Sequence, residues 1–346
     1  MSVSIRDVAA RAGVSTTTVS HVLNKTRAVA KETSARVSKA VEELNYYKNT
    51  SARLLVRGQS DLMGLIISDI ENPFFADLIK SYERACAARQ LEVLLCATNY
   101  DALHAQAAVR RMIENRVRGV AVMTSQFEAQ LEAQLISKNI PVVMLGTARA
   151  TRRYRSRIAI DYHKGASQAI RHLYNMGHRA MAIASGPQTK VSAIAHKEAI
   201  LQALERAACR PFKVIEGDDR PESGATIAKE LLSCRLRPTA ILCGSDRMAI
   251  GAMGAAMSLG LRVPQDVSVV GADDVWMARY GYPPLTTIRL PREVLGDLAF
   301  STLSKMLNSK LRAGTEHILE TELIIRRSTG PPPARARERN RPGTSS

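Results

Sequence analysis

The chain has little cysteine and no long apolar run, and each shortage excludes a class of protein. Its five cysteines (Cys86, Cys96, Cys209, Cys234, Cys243) are odd in number and show no CxxC spacing, which argues against a disulfide framework and against a zinc site. The thiols are expected to be reduced and the chain cytoplasmic, with no metal. The longest stretch without a charge, Met248 to Leu261, is 14 residues and is broken by Gly251, Gly254 and Gly260, whereas a bilayer span needs about 20 mostly apolar residues. No membrane partner is expected. Asp7 and Arg11 interrupt the start of the chain before an apolar run develops, so a secretory leader is not expected either.

Enzyme signatures are equally scarce. Neither GxGxxG nor GxxxxGK[ST] nor a GxSxG elbow occurs, and the seven histidines include no HExxH. The acid pairs Asp218-Asp219 and Asp273-Asp274 are adjacent in sequence, so their side chains need not converge. No catalytic residue and no cofactor is expected. What the chain does have is 45% apolar residues over 346 positions, enough for ordinary buried cores in two or three domains.

Acidic residues are outnumbered: 49 Lys and Arg face 32 Asp and Glu, a net charge of +17. The excess is concentrated at the ends. Residues 1–57 hold ten basic side chains against four acidic ones, and residues 326–346 hold six against one. Locally dense positive charge of this kind suits a phosphate-bearing partner. The stretch 331–346 is rich in Pro and Arg without apolar residues, and reads as a disordered basic tail.

The N-terminal 48 residues contain three helical patterns. Ser4 and Asp7 resemble a capping box, Ile5, Val8, Ala9 and Ala12 form one apolar stripe, and Gly13 ends the first helix. Ser15 caps the second, whose buried side is Val19, Val22 and Leu23; Val37, Val41 and Leu44 define the third. At about 100° per residue, Thr16, Thr17, Ser20 and His21 share the opposite, polar arc of the second helix. Two helices joined by a tight Gly turn and completed by a third make a helix-turn-helix domain, whose second helix can enter a major groove. Threonine offers a hydroxyl and a methyl to base edges, and histidine can donate or accept. A plain three-helix bundle with a solvated basic face is the alternative.

The run Ile5-Arg-Asp-Val-Ala-Ala-Arg-Ala-Gly-Val-Ser-Thr-Thr-Thr-Val-Ser-His-Val-Leu-Asn24, followed by Thr33 to Tyr46, resembles the DNA-binding domain of the LacI/GalR family of transcriptional regulators. Within it the chain is similar to the purine and ribose repressors, whose recognition helices also read Thr-Thr-Thr-Val-Ser-His. The resemblance implies DNA contacts by Thr16, Thr17, Ser20, His21 and Asn24. It also implies a hinge helix and linker at 49–61, with Ala52, Arg53 and Leu55 matching an Ala-Arg-x-Leu pattern and Leu55 as a minor-groove wedge; a plain linker is the alternative. Many relatives have Ser where this chain has Ala30, so the third helix should lack its N-cap.

From residue 62 to 330 short apolar runs alternate with helical patterns. Candidate strands are 63–67, 93–96, 120–123, 142–145, 158–160, 181–184, 214–215, 240–243 and 267–270, an alternation that means parallel sheets built from βαβ units. The span has room for two doubly wound lobes, with ligands bound outside the carboxyl ends of the strands. The family resemblance continues here, through Glu71-Asn-Pro-Phe-Phe75, Met176-Gly-His-Arg179, the stretch from Arg237 to Gly244 and that from Leu261 to Ser268. It implies an all-α helix-turn-helix domain followed by a two-lobed, periplasmic-binding-protein-like domain for effector binding and dimerisation. It nominates Asn72, Phe74, Phe75, Ser125, Lys190, His196, Asp219 and Asp273 as effector contacts; Phe74 and Phe75 could instead be core.

Most relatives carry arginine where His196 stands, so the ligand is not inherited. Lys190, His196 and Lys197 tilt the expectation toward an anion such as a sugar acid, with a neutral sugar or a purine-like molecule as alternatives. The expected protein is a ligand-responsive repressor that binds palindromic double-stranded operator DNA as a homodimer. The rival is a solute-binding protein of a sugar transport system, which shares the two-lobed fold but would need a secretion signal and would not carry residues 1–57.

Overall fold

A computed structural model describes residues 3–24, 26–46, 60–124, 126–146, 153–309 and 313–334. The chain divides into two compact units, residues 1–60 and 61–346. Ala52, Arg53, Leu55 and Ser125 lie outside the described residues.

The first unit contains α1 (Ile5–Ala12), α2 (Thr16–Asn24) and α3 (Lys31–Glu43). The Asp7 carboxylate accepts from the Ser4 N–H at 2.8 Å and the Ser4 hydroxyl at 2.7 Å, closing the first turn of α1. Gly13 ends that helix at φ 64°, a left-handed posture that glycine adopts without penalty. Ser15 Oγ accepts from the Thr18 N–H at 3.1 Å and so caps α2. Ala30 stands at the start of α3 with no side-chain cap. Val8, Ala9, Ala12, Val19, Val37 and Ala40 form the core, and Arg11 reaches Glu43 at 2.6 Å to tie α1 to α3.

The second unit holds two six-stranded sheets. The first has β1 (Leu62–Ile67), β2 (Glu92–Ala97), β3 (Val120–Met123), β4 (Val142–Leu145), β5 (Arg155–Asp161) and β11 (Glu316–Glu320), in the order β11-β5-β4-β3-β1-β2 and all parallel. The second has β6 (Met181–Ser185), β7 (Val214–Glu216), β8 (Ala240–Cys243), β9 (Ser268–Asp273), β10 (Thr286–Arg289) and β12 (Glu322–Ile324), in the order β12-β10-β9-β8-β6-β7. One pairing departs from the expected all-parallel sheets: β12 runs antiparallel to β10. It follows β11 after a single residue, Thr321, so it has no crossover with which to return parallel.

Helices cover both faces of each sheet, and near-continuous apolar strands follow from that double burial. α4 (Phe74–Ala87), α5 (Ala102–Glu114), α6 (Ala129–Ser137) and α12 (Arg292–Asn308) serve the first lobe. α7 (His163–Asn175), α8 (Val191–Arg206), α9 (Pro221–Leu232) and α10 (Asp246–Ser258), with the short α11 (Trp276–Tyr280), serve the second. The chain passes between lobes three times, after β5, after β10 and after β11. Two of these crossings are bonded together: Thr321 Oγ1 donates to the Asp161 carbonyl at 2.9 Å, and the Gly165 N–H donates to Thr321 Oγ1 at 3.2 Å.

The body also runs further than the sequence implies. Pro332 is buried and lies against Gly177, so residues 331–334 belong with the second lobe rather than with a disordered tail. His178 explains the anchoring: its Nε2 lies 2.8 Å from the Gly330 carbonyl and its Nδ1 2.8 Å from Thr239 Oγ1.

Candidate functional site

On α2 the apolar and polar arcs separate as the wheel requires. Val19 is fully buried, Thr16 and Thr17 are exposed, and Ser20, His21 and Asn24 are half-buried on the rim. Two side-chain bonds order that rim. Asn24 Nδ2 donates to Ser20 Oγ at 3.2 Å, and His21 Nδ1 lies 2.9 Å from Thr26 Oγ1. The Thr26 contact engages Nδ1, so the ring nitrogen it does not use is Nε2. The face is short, polar and rich in hydroxyls, as major-groove readout requires.

In the second unit a cavity of about 180 Å³ lies at the carboxyl ends of the strands of both lobes. Of the residues nominated from the sequence, Asn72, Phe74, Phe75, Lys190, His196, Asp219 and Asp273 all line it. Phe74 and Phe75 open α4 as an edge-to-face pair with ring centres 5.0 Å apart. Both also belong to the buried core of the first lobe, so they are core residues that also line the cavity. Asn72 has a local duty: its Oδ1 accepts from the Phe74 N–H at 3.0 Å and fixes the start of that helix.

The polar wall comes from the second lobe. Lys190 Nζ donates to Asp219 Oδ2 at 2.7 Å and stands 3.9 Å from the centre of the Tyr100 ring. Burial works against the Lys190 charge, but Asp219 and Tyr100 hold its pKa above the usual lysine value. Asp219 sits close against Gly186, where a β-carbon would press on its carboxylate. Asp273, at the end of β9, takes φ 108°. Burial, with the charges of Asp246 and Asp219 behind it, pushes its carboxyl well above the usual range against the pull of Arg292 and Lys190.

His196 behaves differently from the expectation of a cation. It is 5% exposed, packs against Tyr162 with ring centres 5.5 Å apart, and its Nε2 has no hydrogen-bond partner among the described residues. Burial lowers its pKa to about 4, so at neutral pH it is a neutral imidazole rather than an anion clamp. With Lys190 committed to Asp219, the cleft presents paired charges, apolar walls and one unpartnered ring nitrogen.

Lys197 does not line the cavity, whereas Tyr100, Arg157 and Tyr162 do and were missed. Tyr100 follows β2 and Tyr162 follows β5, so the rule that residues just past strand ends face the cleft would have found both. Arg157 lies inside β5 and gives no such signal. Across the mouth of the cleft, Gln126 Nε2 donates to the Thr189 carbonyl at 2.9 Å, and Arg247 stands 3.6 Å from Asp69. Among the described residues no group of three or more His, Cys, Asp or Glu is placed to hold a metal.

Residues 4–49 match the family described as bacterial regulatory proteins, lacI family, and residues 170–329 match the periplasmic binding protein-like domain. The HTH-type transcriptional repressor PurR of Edwardsiella ictaluri is 39% identical over 335 residues, covering 95% of this chain and 98% of that protein. The chain belongs to the lacI family. PurR of Serratia proteamaculans is likewise 39% identical, over 95% of this chain and 98% of that protein. Among solved structures, the Lac repressor dimer bound to operator and the anti-inducer ONPF aligns with a TM-score of 0.84 at 29% identity, covering 95% of this chain and all of that one. The complex of the regulator CelR with cellobiose aligns at 0.71 and 27%, covering 94% and 99%. This lacI-family chain matches repressors over nearly its whole length, including the helix-turn-helix, and the reading as a transport-system binding protein falls on that observation. No helix among the described residues is long and apolar enough to cross a membrane.

Proposed function

We propose that this lacI-family member is a sequence-specific transcriptional repressor, acting in the cytoplasm as a homodimer on a palindromic operator, with its DNA affinity set by a small molecule in the inter-lobe cleft. The observation that carries it is the polar Thr16, Thr17, Ser20 and His21 face of α2, with Thr16 and Thr17 exposed and Ser20 and His21 on its half-buried rim, on a chain that matches repressors over nearly its whole length. One recognition helix covers one half-site, so a two-fold dimer reads an inverted repeat. The second lobe offers a surface for the second copy: Met257, Trp276, Tyr280 and Tyr282 are all more than half exposed there, and exposed apolar clusters of this kind mark association surfaces. The reading assigns no catalytic chemistry to the cleft.

For the effector, a neutral molecule suits the cleft better than a sugar acid. Lys190 already has its counter-ion, and a buried neutral imidazole can donate or accept a hydrogen bond to a hydroxyl or a ring nitrogen. Aromatic edges at Phe74 and Phe75 fit either a sugar face or a purine. Thermal-shift measurements on the full chain with hypoxanthine, D-ribose, D-glucose and D-gluconate test this, since a ligand that binds the folded state alone raises its melting temperature. Stabilisation by one of the neutral three is expected; stabilisation by gluconate alone would reverse the assignment of class.

A further inference from the structure

Two consecutive residues at the end of β9, Asp273 and Asp274, hold positive φ angles of 108° and 55°. Neither is glycine, and Asp273 lies well beyond the small left-handed basin that L residues enter with least strain. Such a turn persists only if its surroundings fix it. Part of the restraint is local to the second lobe: the Asp274 N–H donates to Thr287 Oγ1 at 3.4 Å, and its carboxylate accepts from Arg289 Nε at 2.8 Å and Arg326 Nη2 at 2.5 Å. The Val275 N–H is held by Asp246 Oδ2 at 2.8 Å.

The remaining restraint comes from the other lobe. Arg292, the first residue of α12, is 7% exposed. Its Nη1 donates to the Asp273 carbonyl and its Nη2 to the Asp274 carbonyl at 2.6 Å. The same guanidinium donates through Nε at 3.2 Å and Nη2 at 2.9 Å to Asp77 Oδ2. Asp77 lies in the first turn of α4, which also carries Phe74 and Phe75. One side chain therefore binds both walls of the cleft: the helix bearing the aromatic pair and the turn bearing the Asp273 carboxyl. The planar fork is what allows it, because donors on three nitrogens meet three acceptors in separate directions, which a single ammonium cannot do.

We propose that Arg292 is a positioning residue of the cleft, holding the left-handed Asp273–Asp274 turn of one lobe from the α4–α12 pair of the other and so fixing where Asp273 meets the ligand. This rests on the cleft being the effector site. It gives the regulator a direct mechanical link, since any movement of the Asp273 turn on ligand binding is passed through the guanidinium to Asp77 and α4.

The test uses the full chain and its Arg292→Lys, Arg292→Gln and Asp77→Asn variants, followed by hydrogen exchange resolved to peptides. Trp276, the chain's single tryptophan, lies two residues beyond the turn and reports on it by emission. The amides of 273–276 should exchange at least tenfold faster in both Arg292 variants, with a shift in Trp276 emission, while β8 and α10 keep their wild-type rates. Lysine should fail to rescue, and Asp77→Asn should give a smaller change of the same sign. Wild-type exchange at the turn in Arg292→Lys would overturn the proposal. So would a uniform acceleration across the lobe, which is what a merely stabilising residue would produce; if Arg292→Gln does not fold, the Lys and Asn variants decide. Neither readout involves DNA or an effector, so a negative result leaves the repressor reading standing, whereas failure to select any DNA site would remove that reading and leave the hold on the turn.

Discussion

Replacing His196 by glutamine isolates the cost of keeping an imidazole neutral in the cleft. Burial takes its pKa from the reference 6.5 down to about 4. The unfolded chain therefore takes up a proton as the pH falls through about 6.5, while the folded chain does not until about 4, so stability is present in full above 6.5 and is lost as the pH falls through that window. At about 1.4 kcal/mol per pH unit, acidification from 7.5 to 4.5 removes roughly 2–3 kcal/mol from wild type through this group. The buried Asp246, pushed up to about 7 chiefly by burial, acts with the opposite sign: its folded state holds a proton more tightly, so it adds stability as the pH falls from 7 toward 4. Both proteins carry Asp246, and its contribution cancels in their difference. Chemical denaturation of wild type and His196→Gln at half-unit steps from pH 7.5 to 4.5 should show the wild type losing about 2 kcal/mol relative to the variant. Parallel stability profiles would refute the argument and restore a charged His196 with its anionic ligand.

On the DNA side, His21→Ala should relax preference at one base pair per half-site at a cost of about 1–3 kcal/mol, since the role proposed for the ring is to read a base edge rather than a phosphate; equal losses on selected and random duplexes would contradict that role. Ser15→Ala removes the α2 cap seen at Thr18 and should cost about 1 kcal/mol of stability in the first unit, read as earlier loss of its helical signal on heating and checked by rescue with Ser15→Asp. Gly251→Ala should destabilise the second lobe by about 2 kcal/mol or more, since its β-carbon would overlap the Pro221 carbonyl oxygen where α9 and α10 approach. Unchanged denaturation of that variant would mean the two helices slide apart freely.

The helices and most strands were legible from periodicity and the cleft residues from family positions, and what escaped was set by low apolar content or by convergence of distant elements. The polar face of α2 could be drawn from residues 15–24 alone, because helical geometry places Thr16, Thr17, Ser20 and His21 together whatever surrounds them. Nine strands could be located from short apolar runs, most of them buried on both faces as Val120–Met123 is. The missed strands β10, β11 and β12 include Thr286–Arg289, with two threonines and an arginine, and Glu316–Glu320, an edge strand with alternate residues exposed. Those two have too little apolar content to stand out from loop, whereas β12 was missed despite two apolar residues of three. In the cleft, family positions carried Asn72, Phe74, Phe75, Lys190, His196, Asp219 and Asp273 to one cavity. The protonation of His196 depended on burial among neighbours from other elements, and the role of Arg292 on two carbonyls and a carboxylate distant in sequence, neither of which a linear pattern records.

The central claim is that a dimer reads an inverted repeat through α2, and selection of bound sites from random duplex DNA tests it most directly. The full chain should enrich an inverted repeat whose half-site bases change when His21 is replaced, while Thr17→Ala and His21→Ala together should abolish the enrichment at physiological salt. Recovery of no common sequence, or of a single unpaired half-site insensitive to both substitutions, would contradict the account.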